Sequence, residues 1–429
     1  MKKLLIALCL ALAVLAGTAL AEEALVCGDY EYRLLEDGTA EITRYTGSDT
    51  ELVLPAELDG HAVTSTGNGT FCDCESLTNI AIPDGVTSIG EYAFAYCSSL
   101  LSITLPDSIT DIGSGAFIGC SALASITLPD GVTSIGESTF AGCMSLTSIA
   151  IPDSVTDIWG GAFSGCSSLV SVMLPDSITS IDGFAFNDCS SLTSITIPDS
   201  VTDIWGGAFS GCSSLTSITI PDSVTFIGVS AFSDCSSLTS ITIPDSVTFI
   251  GVSAFSGCSS LTSLSIPDSV TVIRESAFSE CSSLTSISIP DSVTDIWDGA
   301  FSGCSSLTSI TLPDSVTFIG EEAFASLTAL TTMIIPDSVN YIDKRAFYNC
   351  PSLTLAVAPG SYAERYAKTN QICYTQHLPE GSWLCTCSNV NNTKFCPECG
   401  QARPPQCKNC GYKPEGAAPN FCPECGTKF

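Results

Sequence analysis

The chain has 429 residues, with 45 acidic against 14 basic side chains and a formal charge of −31 at pH 7. Between Arg44 and Lys344 the only Lys or Arg is Arg274, which argues against nucleic acid and anionic membrane as partners, since both need clustered cations. An acidic surface of this kind serves solubility first, and a cationic partner or a bound cation second.

Residues 1–21 read as an export signal. Lys2 and Lys3 open it, Leu4 to Ala16 form an apolar run, and Ala19-Leu20-Ala21 is a small-x-small cleavage site, so Glu22 is the expected mature start. The run is too short to span a bilayer, and no later segment is expected to span one. Cys9 lies inside the run and no cysteine stands at the cleavage point, which argues against a lipid anchor. Residues 22–70 are expected to form an N-terminal cap built on a β-hairpin. Tyr30 to Leu35 alternates, Asp37-Gly38 supplies the turn, and Ala40 to Tyr45 returns.

Residues 71–358 carry a strict period. A proline falls every 23 residues from Pro83 to Pro359, and a phenylalanine keeps the same step from Phe71 to Phe347. A fixed period of this length marks a solenoid, which grows by stacking one unit on the next. In one unit, Leu192-x-x-Ile195-x-Ile197 gives a short strand with Leu and Ile inward and Ser194 and Thr196 outward. Pro198 and Asp199 end it. Val201, Ile204, Ala208, Phe209 and Cys212 bring the chain back along the far side. Stacked units then form a parallel sheet on one face, with mostly irregular return segments, and about thirteen coils give a body roughly 60 Å long.

The segments Cys189-x-x-Leu192-x-x-Ile195-x-Ile197-Pro198 and Ile204-x-x-x-Ala208-Phe209 resemble the BspA-like leucine-rich repeat family, over about residues 30–370. The resemblance implies a bacterial protein, exported or displayed at the cell surface, used in adhesion and protein binding; a rigid surface that binds protein or glycan is the function expected here. No enzymatic activity is expected, because the residues offer no catalytic constellation.

After the repeat, residues 359–375 are expected to cap the solenoid. Ser361 can cap a helix from Tyr362 to about Thr369 that lays Ala363, Tyr366 and Ala367 over the last coil. Residues 376–382 read as a linker. Two small modules follow, 383–403 and 404–429. Their cysteines are Cys385, Cys387, Cys396 and Cys399, then Cys407, Cys410, Cys422 and Cys425. Two closely spaced thiolate pairs complete a tetrahedral structural zinc site, so two zinc ions are expected. The near copies Phe395-Cys396-Pro397-Glu398-Cys399-Gly400 and Phe421-Cys422-Pro423-Glu424-Cys425-Gly426 resemble the knuckles of bacterial zinc ribbons. Cys385 and Cys387 depart from that spacing, with one residue between them. Disulfide knots are the competing reading in an exported chain.

Apart from Cys373, the remaining cysteines form two groups. Twelve, from Cys74 to Cys350, share one repeat position, where Leu327 replaces the cysteine of the missing copy. An apolar replacement marks a core position, so buried thiols acting as small hydrophobes are expected; disulfides between coils are the alternative. Cys27 and Cys72 fall outside that ladder, as a disulfide within the cap or as two free thiols.

No nucleophile–base constellation accompanies His61 or His377, and both read as surface residues. The Asp that follows each repeat proline reads as a turn former; one file of carboxylates does not converge on a calcium ion. One surface feature breaks the repeat. Trp159, Trp205 and Trp297 follow the inward isoleucine of their coils, while Phe226, Phe249, Phe318 and Tyr341 precede it. Seven aromatics on one flank form an apolar stripe of the kind that marks a contact site. The competing reading is that each ring only seals neighbouring coils together. A second class of function, a structural envelope-associated scaffold with the cysteine-rich tail as an assembly module, needs only the uniform repeat.

Overall fold

A computed structural model describes residues 24–376, together with the backbone of two short paired strands, Trp383–Leu384 and Val390–Asn391. The export signal, His377 and the eight tail cysteines lie outside the described residues.

Each repeat contributes two short strands, except that the first strand is reduced to a single bridge, Thr127 to Ala150, in the coil of Ile126. The first is the one expected: Ser171–Met173, Ser194–Thr196, Ser217–Thr219 and Ser240–Thr242 stack in parallel, with like positions in register. In each, the middle residue is buried and its neighbours are exposed. The second was not expected. The return segment is mostly turns and irregular backbone, as expected, but its inward isoleucine lies in a two-residue strand. Ser180–Ile181, Asp203–Ile204, Phe226–Ile227 and Phe249–Ile250 form a second parallel ladder. Two residues carry too little alternation to announce a strand; the ladder arises because identical coils repeat the same backbone one step on.

Between the ladders runs a core that repeats once per coil. Leu192, Val201, Ile204, Ala208, Phe209 and Cys212 are wholly buried. The phenylalanines from Phe71 to Phe347 form one continuous column, with centroids 5.0–5.7 Å apart and ring planes within 11° of parallel. One buried phenylalanine contributes about 1.5–3 kcal/mol from apolar area alone. A tyrosine closes each end of the column. Tyr45 meets Phe71 at 5.5 Å, and Tyr366 meets Phe347 edge-on at 6.1 Å.

At the N-terminal end, Tyr30–Leu34 pairs antiparallel with Ala40–Tyr45. The turn between them places Gly38 at φ 85, where L side chains are strained. At the other end, helix α1 (Tyr362–Thr369) starts at Ser361, whose hydroxyl accepts the Glu364 amide. Glu364 Oε2 in turn accepts the Gly360 amide at 2.8 Å. Ala363, Tyr366 and Ala367 are buried against the last coil. Beyond α1, Cys373–Gln376 adds one more parallel strand to Thr354–Val357.

Hydroxyls staple the coils. Ser200 Oγ donates to the Ile178 carbonyl at 2.6 Å and Ser223 Oγ to the Val201 carbonyl at 2.6 Å. The same bond recurs at Ser246, Ser292, Ser315 and Ser338. These serines satisfy carbonyls that a two- or three-residue ladder leaves over, while the hydroxyls of Thr239 and Thr285 add a second bond to carbonyls of the preceding coil that already accept the threonine's own amide.

Candidate functional site

The second ladder positions the aromatic flank. Residues on either side of its buried isoleucine point the same way, because strand side chains alternate. Asp203 is in register with Phe226 and Phe249. The residue before the isoleucine and the residue after it therefore share one outer face, and all seven aromatics lie there. Trp159, Trp205, Trp297 and Tyr341 are 52%, 47%, 41% and 42% exposed. Phe226, Phe249 and Phe318 are half-buried.

Six of the seven are brought together in two ribbons. Trp205 meets Phe226 at 5.3 Å, and Phe226 stacks on Phe249 at 4.8 Å. Trp297 meets Phe318 at 5.5 Å, and Phe318 stacks on Tyr341 at 4.9 Å. Arg274 lies between the ribbons, its guanidinium 4.3 Å above the Phe249 ring. Trp159 joins neither ribbon. It lines a separate recess with Gly136, Glu137, Ser114 and Asp111. Trp159 and Trp205 occupy the same repeat position two coils apart, with Asp182 between them.

Further exposed rings went unnoticed in the sequence. Phe184 is 58% exposed and has φ 59, and Tyr92 and Tyr96 have φ 55 and 59. Each sits at a left-handed position that other coils fill with glycine, and each ring lies over the glycine of the next coil. A Cβ added to Gly207 would come within 2.5 Å of the Phe184 ring, and one at Gly119 within 2.5 Å of Tyr96. The signal was a bulky residue in one coil answered by Gly in the next, as in Tyr92 with Gly115.

The cysteine ladder offers no chemistry. Its ten members from Cys97 to Cys304 are buried free thiols. Each Sγ–H points to a phenylalanine carbonyl of the preceding coil, as Cys212 does to Phe186 at 3.2 Å and Cys235 to Phe209 at 3.2 Å. Burial pushes the Cys120, Cys166 and Cys212 thiols up to about 12, and Cys143, Cys189, Cys235 and Cys258 well above their ordinary range. The thiolate, the reactive and metal-binding form, is thereby suppressed. Cys27 and Cys72 are also free thiols, each half-buried, and burial raises Cys72 to about 11. His61 meets the Gly38 carbonyl at 2.9 Å. Among the described residues, no group of three or more His, Cys, Asp or Glu side chains is arranged to hold a metal ion. None of their helices is long and apolar enough to cross a membrane.

Two parallel ladders around a stacked apolar core, with one buried leucine per coil, define a leucine-rich repeat solenoid. The chain belongs to the family described as BspA type leucine rich repeat region, whose profile matches residues 64–159, 133–262 and 250–374. It is similar to a leucine-rich repeat protein from Bacteroides ovatus, with 33% identity over 82% of this chain and 99% of that one, at a TM-score of 0.74. A leucine rich cell surface protein from Faecalibacterium prausnitzii shares 34% identity over 81% and 97% of the two chains, at a TM-score of 0.56. A leucine-rich repeat protein from Eubacterium ventriosum shares 26% over 76% and 94%, at 0.52. Among curated proteins no match was found.

Proposed function

We propose that this chain is an exported, non-enzymatic binding protein whose aromatic flank engages a protein or glycan ligand at the bacterial surface. The observation that carries this reading is the exposure of Trp159, Trp205, Trp297 and Tyr341 on one outer face of the second ladder. The first ladder presents mostly Ser and Thr, which offer little area for an anchor. Interface energy concentrates in a few Trp, Tyr and Arg side chains, and the flank supplies all three types. Protein is favoured over glycan, because the faces of Phe226 and Phe249 are turned to one another and leave edges rather than flat platforms outward. The name of the F. prausnitzii relative supports a cell-surface setting.

The test compares wild type with a Trp159→Gly/Trp205→Gly double variant on immobilised host matrix proteins and on a bacterial glycan array. Glycine already stands at the corresponding position in other coils, Gly228 and Gly251 among them. Trp159 has no ring partner among the described residues, and losing the Trp205–Phe226 contact costs about 0.5–1.5 kcal/mol. The variant should stay folded and lose binding. A folded variant that binds normally would return the rings to a sealing role and favour the scaffold.

The tail is proposed to be a metal-stapled module. Its eight cysteines fall into two sets of four, the donor set of two closed tetrahedral zinc sites. Cys385, Cys387, Cys396 and Cys399 would hold one ion, and Cys407, Cys410, Cys422 and Cys425 the other. Four thiolates leave no open position, so the role is structural. An oxidised form of the chain with a Cys27–Cys72 disulfide in the cap, where the structure holds two free thiols, is likewise a proposal.

A further inference from the structure

The first aromatic ribbon has two different ends. At its C-terminal end the Phe249 ring is covered by the Arg274 guanidinium, 4.3 Å from its centroid. At its N-terminal end Trp205 faces the preceding coil, where the corresponding positions hold Ser180 and Asp182 instead of an aromatic. A shallow recess of about 630 Å³ opens there. Trp205 and Phe184 wall it, and Asp182 and Asp203 line it with Ser180 and Thr202. One oxygen of each carboxylate takes a neighbouring hydroxyl: Ser180 Oγ donates to Asp182 at 3.1 Å, and Thr202 Oγ1 donates to Asp203 at 2.6 Å. The other oxygen of each has no protein partner among the described residues.

We infer that this recess accepts an arginine side chain from a basic segment of a partner protein, stacked on Trp205 and paired with Asp182 and Asp203. The inference rests on the binding reading above and names the chemistry of its ligand. The molecule carries its own precedent in Arg274, a guanidinium on the same ribbon's other terminal ring. Aromatic faces attract cations through their quadrupole, Trp most strongly. Arginine suits the recess better than lysine, because its planar fork can stack and donate to carboxylates at once. The charge of −31, with one Lys or Arg between Arg44 and Lys344, draws such a segment in and repels acidic ones.

The probe is a fluorescein-labelled hexa-arginine peptide, titrated by anisotropy into the full chain at 150 mM salt, where the Debye length is about 8 Å. Trp205→Gly and Asp182→Asn/Asp203→Asn should each weaken binding about tenfold, while Trp205→Phe, which keeps a ring, should lose less than threefold. Asp107→Asn/Asp130→Asn makes the same charge change at exposed turns far from the recess and should lose less than twofold. Melting temperatures confirm that each variant is folded. Equal losses in both Asp pairs would reduce the effect to diffuse attraction and overturn the inference. So would unchanged binding by Trp205→Gly. Loss on Trp297→Gly without loss on Trp205→Gly would overturn the recess while leaving the aromatic flank as the ligand surface. Binding that appears only after residues 377–429 are removed would assign the recess to the chain's own tail, which carries Lys394, Arg403, Lys408, Lys413 and Lys428, and would also overturn it.

Discussion

At the scale of the residue, a cysteine here is both filler and hinge pin. Its sulfur occupies apolar space, and its S–H meets a carbonyl of the coil before, as Cys166 meets Phe140 at 3.1 Å. The hydrophobe half of that role was readable from Leu327, an apolar stand-in at the same position. The bond was not readable, since no spacing rule pairs a thiol with a carbonyl 26 residues earlier. Burial has a consequence for pH. Thiols that ionise near 9 when exposed are raised to about 12 at Cys120, Cys166 and Cys212. A raised folded pKa stabilises the fold fully below the unfolded value, and that stability drains as pH climbs from about 9 toward 12. Circular dichroism in reducing buffer should therefore hold steady to pH 8 and fall over that window, with thiolate absorbance rising in step. Ladder thiolates titrating in a still-folded solenoid would contradict this. At neutral pH, iodoacetamide should label the exposed Cys373 readily and the ten buried thiols only after denaturant is added.

At the scale of the element, the ends matter most, because an uncapped coil leaves its apolar edge in water. The C-terminal cap was legible: Ser361 followed three residues on by Glu364 is a capping-box spacing. The structure turns the glutamate onto the Gly360 amide, one residue before the cap, and places the Ser361 hydroxyl on the Glu364 amide. Ser361→Ala should cost about 1 kcal/mol, read as a shifted midpoint in urea with an unchanged slope. A wild-type midpoint would mean that Tyr366 and its neighbours hold α1 without the cap. The second ladder was not legible, because its strands are two residues long and gain their bonds only from the stack. The aromatic flank was legible as a set of outward positions. Its division into two ribbons and a solitary Trp159 follows from the two intervening coils without an aromatic at either position, those of Ser180/Asp182 and Val272/Arg274; the stacking within each ribbon was not legible, because it depends on which way each ring leans. The cysteine-rich modules call for direct measurement. Elemental analysis of chain purified without added metal should find about two zinc ions, and Cys422→Ser/Cys425→Ser about one, with solenoid circular dichroism unchanged. Four tail disulfides by mass spectrometry, with no metal, would sink the zinc assignment.

At the scale of the whole molecule, the solenoid is a one-dimensional stack, so its stability is a sum of coil and neighbour terms. The neighbour terms obey a rule. In most coils a bulky side chain at a left-handed position is answered by glycine in the next coil, as Phe184 is by Gly207 and Asp188 by Gly211. A whole repeat can then be removed if the cut preserves those pairs. Excising residues 212–234 joins Gly211 to Cys235 and keeps both. The deletion leaves Phe209 beneath Phe255, places Trp205 beside Phe249 where Phe226 had been, and leaves every inward residue in phase. The shortened chain should unfold cooperatively, with a urea midpoint near that of wild type and a smaller slope, since the slope scales with the surface exposed. Excising residues 212–222, about half a repeat, removes less chain but puts strand against turn and apolar positions against polar ones. It should fail to fold. Equal tolerance of the two deletions would show that the stack is held by general hydrophobic collapse and not by coil-to-coil register. Equal intolerance would show that stability depends on contacts beyond nearest neighbours.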